Sequence, residues 1–322
     1  MKNLFLFSFL FAFVATFTFY GCKKDDPPAV EVNEYALLSD QIKTGGLDLD
    51  KILSGLVLFP AAETDVSNRY IIDVRSATDY AAGHIANAVN VEFKNILTEA
   101  SKAAAKPILV VCASGQISTY AVALLRLYGY PDASALKWGM SGWNASFDKW
   151  TANCKDLKTD ANWNVDVVTS ITFGTPNLAT GLTTGSEILK KRVEAVVAAG
   201  FKSIAPADVL AAPANYFINS YISAAHYTGF GHVKGSYRIN PLLITDGTIN
   251  NLDPSKKIVS ICYTGQTSGC ITAWLNVLGY DAYSLLWGLN GLSYTNLFWT
   301  TPAIITNHWG FDSKSKAFTT VK

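Results

Sequence analysis

The chain has 322 residues, of which 49% are hydrophobic and 16% are charged, a balance typical of a globular protein rather than a disordered one. This length suits two domains of ordinary size, each large enough to bury its own core. The formal net charge is +1, from 26 basic and 25 acidic side chains, and the body of the sequence has no block of like charge. We therefore expect no nucleic acid and no other polyanion as a partner.

The first 22 residues differ from the rest of the chain. Lys2 is followed by an almost purely apolar stretch over 4–20, and then by Gly21 and Cys22. A basic start, an apolar centre and a small residue before the cut are typical of an export signal. Gly21-Cys22 resembles the end of a bacterial lipoprotein signal, which implies that Cys22 is lipidated and becomes the mature amino terminus. An uncleaved membrane anchor is the alternative, because the stretch is near the short limit for spanning a bilayer.

Residues 23–34 are the predicted tether, which opens with Lys23-Lys24-Asp25-Asp26 and two prolines. This opening is similar to the acidic signals that send some lipoproteins to the outer face of the outer membrane. We expect the folded part of the chain in the cell envelope, anchored to the membrane by lipid and facing the periplasm or the cell surface.

The sequence repeats itself once. Three landmarks recur about 150 residues later in the same order, a spacing far longer than that of a solenoid repeat. They are a Gly-His pair, a cysteine loop and a Trp-Gly pair, at His84 and His232, Cys112 and Cys262, and Trp138 and Trp287. We therefore predict a duplicated domain. The predicted units are a first domain over 35–150, a linker and lead-in over 151–185, and a second, more degenerate domain over 186–322.

Short strands alternate with helices in the first copy. The predicted elements are strands over 70–74, 88–91 and 107–111, and helices over 76–82, 92–100 and 118–128. In the second copy a helix is predicted over 186–199, with Gly200 as its C-cap. Fully apolar strands alternating with helices are typical of a parallel sheet covered on both faces. The predicted fold class is α/β, with a central parallel sheet flanked by helices in each domain.

Each copy places a cysteine where a buried strand ends and a helix begins. The two loops are Cys112-Ala113-Ser114-Gly115-Gln116-Ile117-Ser118 and Cys262-Tyr263-Thr264-Gly265-Gln266-Thr267-Ser268. Ligands bind at this edge of open α/β sheets. We expect backbone N–H groups to converge on the sulfur, with Ser118 or Ser268 as the helix N-cap. Because such surroundings lower a thiol pKa, Cys112 and Cys262 are candidate catalytic nucleophiles, and the loops are candidate substrate-binding loops.

The alternative for Cys112 and Cys262 is that they are buried structural cysteines, which are common. In an exported protein, the four thiols other than Cys22 would by default form two disulfides. A disulfide at Cys112 or Cys262 would prevent that cysteine from acting as a nucleophile. We expect Cys154 and Cys270 to be buried inert thiols rather than a bridged pair. No cysteine or histidine pair has the spacing of a zinc site, so we expect no metal and no cofactor.

The histidines and tryptophans of the repeat are expected to be structural. His84 and His232 each follow a helix-ending glycine, where a histidine usually satisfies local backbone groups. Trp138, Trp143 and Trp287 either wall the sites or are simply buried.

The motifs of both copies, taken together, resemble the rhodaneses in their tandem form. In the first copy they are Ile-Ile-Asp-Val-Arg at 71–75, Gly-His-Ile at 83–85, the loop 112–118 and the Gly-rich turn 138–143; the match over 203–300 is weaker. The resemblance implies a sulfurtransferase, in which a cysteine takes the outer sulfur of a donor such as thiosulfate or a persulfide. Cyanide or another thiol then attacks the cysteine persulfide. The implied partners are a small-molecule sulfur donor and a thiol or cyanide acceptor.

The second copy departs from this pattern, since Asn219 and Tyr221 replace Asp73 and Arg75. We expect Asp73 and Arg75 to form an ion pair that orders the region near the first loop. Tandem rhodaneses usually keep a working cysteine only in the second copy, so which thiol turns over is left open. Neither loop carries Lys or Arg for an anionic donor. Arg75 could supply that charge from outside the loop, and a less charged persulfide donor is equally compatible.

Two other functions are weighed against sulfur transfer. The cysteine phosphatases of this fold place an Arg at the sixth position after the cysteine, where this chain has Ser118 and Ser268, and this argues against phosphatase chemistry. The eroded motif of the second copy and the uncharged loops favour a different alternative, a non-catalytic rhodanese-like binding module on the cell envelope.

Overall fold

Two parallel sheets with a shared layer of helices between them make up the part of the chain that the structure describes. The computed structural model describes residues 32–311 and 314–322, and residues 33–322 form one compact unit. The predicted signal over 1–22, its lipidation residue Cys22 and the tether up to residue 31 lie outside the described residues. No helix within the described ranges is long and apolar enough to cross a membrane.

The first lobe comprises residues 34–150. Its helices are α1 (Glu34–Thr44), α2 (Leu49–Leu53), α3 (Ala77–Ala82), α4 (Ile96–Ala100), α5 (Gln116–Tyr128) and α6 (Gly139–Trp143). Its strands are β1 (Val57–Leu58), β2 (Tyr70–Asp73), β3 (Val89–Asn90), β4 (Ile108–Val111) and β5 (Ser134–Leu136). All five strands are parallel, in the order β1-β5-β4-β2-β3, so β4 lies at the centre of the sheet.

The remaining strands and α-helices belong to the linker and to the second lobe, which comprises residues 185–311. The strands are β6 (Trp163–Asn164) in the linker, then β7 (Ser203–Ile204), β8 (Tyr216–Ser220), β9 (His232–Val233), β10 (Lys257–Ile261) and β11 (Ala282–Leu285). The helices are α7 (Gly185–Ala199), α8 (Pro206–Ala211), α9 (Ala224–Phe230) and α10 (Gln266–Val277). The parallel order β7-β11-β10-β8 matches β1-β5-β4-β2 of the first lobe, whereas β9, which follows β8 as β3 follows β2, pairs with β6 instead of joining this sheet. The α/β class predicted from the sequence is confirmed.

Side chains alternate between the two faces of each sheet, and this places the cores. In β4, Leu109 and Val111 join an apolar cluster of the first lobe alone, whereas Ile108 and Val110 join a cluster to which both lobes contribute. The second lobe likewise has a cluster of its own on the outer face of its sheet. The sequence predicts one core in each domain. The structure adds a third core, shared by the lobes.

Helices α5 and α10 form the centre of this shared core. Both are buried along nearly their whole length, which fits the predominance of apolar and small residues in their sequences. Polar contacts also cross between the lobes: the carboxylate of Asp48, which is 3% exposed, accepts the backbone N–H of Thr245 at 2.9 Å. Trp274 Nε1 donates to Leu47 O at 3.2 Å. The two lobes are therefore joined by buried apolar and polar contacts.

The linker and the carboxyl terminus complete the sheets' surroundings. Strand β9 pairs antiparallel with β6, so the linker supports the second lobe at His232. The equivalent residue of the first lobe, His84, forms an antiparallel bridge with Val321. The last residues of the chain, which the sequence assigns to the second domain, thus lie against the first lobe.

Candidate active site

Cys112 lies between the last residue of β4 and the start of α5. Gly115, with φ of +88°, is the N-cap of the helix, and its left-handed conformation turns the chain around the sulfur. Gly115 N and Ser118 N donate to Cys112 Sγ at 3.1 and 3.4 Å. The thiol, which is 1% exposed, therefore sits in the converging N–H groups that the sequence predicts.

The prediction that Ser118 caps the helix is wrong. The helix begins at Gln116, two residues earlier than predicted, so Ser118 is its third residue and its Oγ donates back to Gly115 O at 2.9 Å. The cysteine sulfur itself accepts the N–H of this third residue, which is the position that an N-cap side chain normally satisfies. The same holds for Ser268, since α10 begins at Gln266 after Gly265 as N-cap.

Cys262 repeats this geometry with fewer donors. Ser268 N donates to Cys262 Sγ at 3.2 Å, and Ser268 Oγ lies 3.5 Å from the same sulfur. Across the described ranges, no donation from Gly265 N accompanies them. Ser268 Oγ is also 2.9 Å from Ser284 Oγ on β11, a contact that fixes the serine beside the sulfur. Cys262 is 1% exposed, as Cys112 is.

A Trp-Gly turn is hydrogen-bonded to the backbone of each cysteine loop. Met140 N donates to Cys112 O at 2.8 Å, and Leu289 N donates to Cys262 O at 3.0 Å. A Cβ atom on Gly139 would lie 2.3 Å from Cys112 O, and one on Gly288 would lie 2.3 Å from Cys262 O. Only glycine allows this approach, and both glycines also have positive φ.

The two loops face each other, and a glutamine of each contacts the opposite lobe. Trp287 N donates to Gln116 Oε1 at 2.7 Å, and Trp138 N donates to Gln266 Oε1 at 3.2 Å. Both glutamines are almost completely buried, at 2% and 3% exposure. Each loop is therefore held closed by a side chain of the other, through a contact that neither copy makes alone.

Four tryptophans form a cluster beside the loops, namely Trp138, Trp150, Trp287 and Trp309. Trp150 lies edge-on to Trp138 and Trp287, with ring centroids 4.6 and 4.9 Å apart, and its Nε1 donates to Ser114 O at 3.2 Å. Trp143 lies elsewhere, where its Nε1 donates to Thr319 O of the carboxyl-terminal tail. Of the three repeat tryptophans, Trp138 and Trp287 thus lie beside the loops and Trp143 does not.

The remaining loop residues hold the loops in shape. Ser114 Oγ accepts Gln116 Nε2 at 3.1 Å, and Ala113 O accepts Ser141 N at 3.1 Å. In the second loop, Thr264 Oγ1 accepts Gln266 N at 3.2 Å. Ile117 and Thr267, at equivalent positions on the first turns of α5 and α10, are half-buried.

Asp73 and Arg75 form a buried ion pair at the end of β2. Arg75 Nη2 lies 2.6 Å from Asp73 Oδ2, and the two side chains are 3% and 0% exposed. The guanidinium also donates to Asp79 O and Gly83 O, so its donors are used inside the lobe. Arg75 therefore does not supply charge to a donor at the loop. In the second lobe, Asn219 takes the place of the aspartate and bonds the backbone of Ile239 at both amide atoms.

The two repeated histidines have the same structural role. His84 stacks on Tyr80 and His232 stacks on Tyr227, each with ring centroids 3.7 Å apart. The Nδ1 atom of each contacts the carbonyl oxygen of its stacking partner, at 3.1 and 3.0 Å. The expectation that they satisfy local backbone groups is confirmed.

Two polar side chains near the second loop were missed by sequence reasoning. His226 Nδ1 lies 2.5 Å from Tyr263 Oη, and burial lowers the pKa of the imidazole. Lys137 lines a cleft against Thr264 and Thr267. Neither has a counterpart in the other copy, and that difference between the copies is the signal that could have singled them out.

Cys154 and Cys270 are free thiols; Cys270 is buried as predicted, whereas Cys154 is only half-buried. Burial raises the pKa of Cys154 and of Cys270 to about 12. Within residues 32–311 and 314–322, no group of three or more His, Cys, Asp or Glu side chains could hold a metal ion.

A curated protein is similar to part of this chain. A stretch of 79 residues is 34% identical to an uncharacterized protein of Buchnera aphidicola subsp. Schizaphis graminum and covers 23% of this chain and 53% of that protein. The chain thus spans about half the length of the curated relative that it matches.

Two solved structures are similar at 16% identity. The thiosulfate sulfurtransferase from Pseudomonas aeruginosa has a TM-score of 0.29, with 79% of this chain and 46% of that chain covered. The 3-mercaptopyruvate sulfurtransferase from Leishmania major has a TM-score of 0.28, with 78% and 76% covered. Superpositions this loose support no statement about this chain.

The model of the rhodanese-like domain family matches residues 61–146. This range contains β2 with the Asp73–Arg75 pair, β4, the Cys112 loop and the turn at Gly139. Residues 61–146 are therefore a rhodanese-like domain.

Proposed function

We propose that the protein is a sulfurtransferase that moves sulfane sulfur from a donor, thiosulfate or a persulfide, to a thiophilic acceptor through a cysteine persulfide. The observation that carries the proposal is the position of Cys112, whose Sγ accepts two backbone N–H bonds within a rhodanese-like domain. The same loop geometry at Cys262 supports a second site in a tandem arrangement of two such domains.

In the first step the cysteine thiolate attacks the outer sulfur of the donor. With thiosulfate, a bond forms between Sγ and that sulfur, the S–S bond of the donor breaks, and sulfite leaves with the electron pair. The N–H groups at the start of α5 or α10 stabilise the thiolate before the attack. No general base is required when the thiolate is the attacking form.

In the second step an acceptor attacks the outer sulfur of the persulfide. Cyanide forms a carbon–sulfur bond, the persulfide S–S bond breaks, and the cysteine thiolate leaves with the electron pair as thiocyanate is released. The same N–H groups that stabilise the thiolate before the first step stabilise it as leaving group here. One environment therefore serves both displacements.

Access to the sulfur is the main demand on this mechanism. Each thiol is 1% exposed and belongs to a loop whose glutamine is hydrogen-bonded to the opposite lobe. Under this proposal the donor enters after the two loops separate, and closure then excludes water from the persulfide.

The test is thiocyanate production from thiosulfate and cyanide by the full chain. We expect Cys112→Ser and Cys262→Ser together to abolish the reaction, and each single variant to assign turnover to a lobe. Cys270→Ser is the matched control, since this thiol is free and buried and lies on α10 outside the two candidate substrate-binding loops. Full activity of the double variant would refute the mechanism.

The burial of both thiols favours a second candidate function, a non-catalytic rhodanese-like binding module. This candidate predicts unreactive thiols and a protein partner that is retained by the double variant. Mass spectrometry separates the two functions, because incubation with a sulfur donor adds one sulfur atom of about 32 Da only if a persulfide forms.

We also propose that the chain is exported and lipidated at Cys22, so that the folded part faces the periplasm or the cell surface. The support is the apolar stretch over 4–20 that ends in Gly21-Cys22. Labelling of cells with a radioactive fatty acid tests this proposal: wild type should be labelled and Cys22→Ala should not.

A further inference from the structure

A cleft of about 420 Å³ separates the second loop from the end of the first lobe's sheet. Its polar lining comes from both lobes: Lys137 follows β5, Asn307 belongs to the second lobe, and Thr264, Gln266 and Thr267 belong to the loop of Cys262. We call it the Lys137 cleft. The bond from Trp138 N to Gln266 Oε1 fixes the residue next to Lys137 against this loop.

Lys137 is a positively charged side chain in the lining of the cleft. Its Nζ donates to Thr306 O at 2.8 Å and lies 5.6 Å from the ring centroid of Trp138, and in the part of the chain that the structure describes no carboxylate pairs with it. Partial burial lowers the pKa of Lys137, because the charged form loses hydration. An anion bound in the cleft would stabilise the charged form of Lys137, which burial destabilises.

Gln266 provides an unsatisfied donor. Its Oε1 accepts Trp138 N, but its Nε2 is buried with no hydrogen-bond partner in the described residues, and the side chain is only 3% exposed. A buried amide N–H₂ group without an acceptor costs free energy unless a ligand satisfies it. Gln266 also lies at the start of α10, a helix of 12 residues whose positive end favours anions.

The first loop lacks both features. Gln116 Nε2 donates to Ser114 Oγ at 3.1 Å, so it is satisfied within its own loop. The residue before Trp287, which matches Lys137 in the repeat, is Leu286. The two loops have the same shape, but in the described residues the Gln116 amide has an acceptor and the Gln266 amide has none, and the position of Lys137 is a leucine in the second copy.

We propose that the Lys137 cleft binds the anionic end of a small sulfur donor, with Lys137 and Gln266 as its recognising side chains, and that it serves Cys262 rather than Cys112. The ligand class is a small molecule with a sulfonate-type or carboxylate end and a transferable sulfur at the other. This inference rests on the proposed sulfurtransferase function for its choice of ligand, but the anion site itself does not.

The test is binding of two unreactive anions to the full chain by isothermal titration calorimetry. Sulfate represents the sulfonate end of thiosulfate, and pyruvate represents a carboxylate donor. We expect Lys137→Leu, which installs the residue of the other copy, to weaken binding about tenfold or more, as expected for losing a charge-assisted contact. Tighter binding of sulfate or of pyruvate identifies the donor class.

Lys316→Leu is the matched control. Lys316 Nζ lies 4.8 Å from the Phe59 ring, as Lys137 Nζ lies 5.9 Å from it, but Lys316 does not line the cleft. It should bind both anions like wild type. A wild type that binds neither anion, or equal weakening by the two lysine substitutions, would overturn the proposal.

Turnover gives an independent reading. In Cys112→Ser, which leaves Cys262 as the loop thiol, Lys137→Leu should raise KM for thiosulfate about tenfold with a smaller change in kcat. Anion binding that depends on Lys137 without any thiocyanate production would leave the anion site standing and refute the sulfurtransferase proposal. Thiocyanate production with a KM that Lys137→Leu leaves unchanged would support the sulfurtransferase proposal and refute the role of the cleft in donor binding.

Discussion

The loops of Cys112 and Cys262 share a backbone and differ in the charges around it. The first has the buried Asp73–Arg75 pair behind it and a satisfied Gln116, whereas the second has neutral Asn219 behind it and faces Lys137. Sulfur contacts by N–H groups survive in both because they depend on the turn and not on side chains. Internal support by charge thus lies in the first lobe, and a cation from outside the loop lies beside the second.

The largest loss of stability is expected when the Asp73–Arg75 ion pair of the first lobe is broken. Arg75→Met leaves Asp73 buried without its partner and should lower the free energy of unfolding by about 3 kcal/mol or more. Denaturation in urea measures the loss. The double variant Asp73→Asn, Arg75→Tyr copies the second lobe and should lose less, because no unpaired charge remains. An equal loss in both variants would show that the charge is not what matters.

The glycines below the loops come next. Gly139→Ala and Gly288→Ala place a methyl group 2.3 Å from a carbonyl oxygen at positive φ, and each should cost about 2 to 4 kcal/mol. Gly46→Ala is the control, since its φ is +64° but its surroundings are open, and it should cost about 1 kcal/mol. Thermal unfolding distinguishes them. A loss at Gly139 no larger than at Gly46 would contradict the close approach described above.

The reciprocal glutamines test whether the lobes close each other's loops. Gln116→Ala leaves Trp287 N buried without an acceptor, and Gln266→Ala does the same to Trp138 N, so each should cost about 1 to 3 kcal/mol. The larger loss is expected for Gln116, whose bond is 2.7 Å against 3.2 Å. Both variants should also alkylate faster at Cys112 and Cys262. Unchanged alkylation rates would show that other contacts close the loops.

The smallest expected effect is a pH dependence of anion binding in the Lys137 cleft, which lies beside the second loop. Sulfate binding in the Lys137 cleft should fall as pH rises through the pKa of Lys137, because the ammonium then loses its proton. That fall should occur below the ordinary lysine value of 10.5, since burial lowers this pKa. Calorimetry at a series of pH values measures it. Lys137→Leu should show weak binding with no such step.

The sequence predicts the parallel sheets and the cysteine positions well because both follow from local patterns. The apolar run at 107–111 could only be a buried central strand, and the cysteine after it had to lie at the sheet edge. The start of α5 was missed because the left-handed Gly115 admits Gln116 as the first helical residue, and the sulfur then takes the role assigned to Ser118.

The contacts between the lobes could not be predicted from the sequence patterns. Nothing in the run around Gln266 shows that its amide reaches Trp138, because that contact depends on how α5 and α10 pack. The same holds for Lys137, whose polar neighbours in the cleft, from Thr264 to Asn307, are more than a hundred positions away along the chain. Its mismatch with Leu286 was visible in the repeat, but its meaning was not.

The bridge between His84 and Val321 has a consequence for biosynthesis. A ribosome releases the residues around His84 long before it adds the segment around Val321, so the first lobe waits for a partner that is made much later. Helices α5 and α10 also cover each other, so neither lobe buries all of its apolar surface by itself. Splitting the chain between the lobes would therefore return two fragments with apolar surfaces open to water.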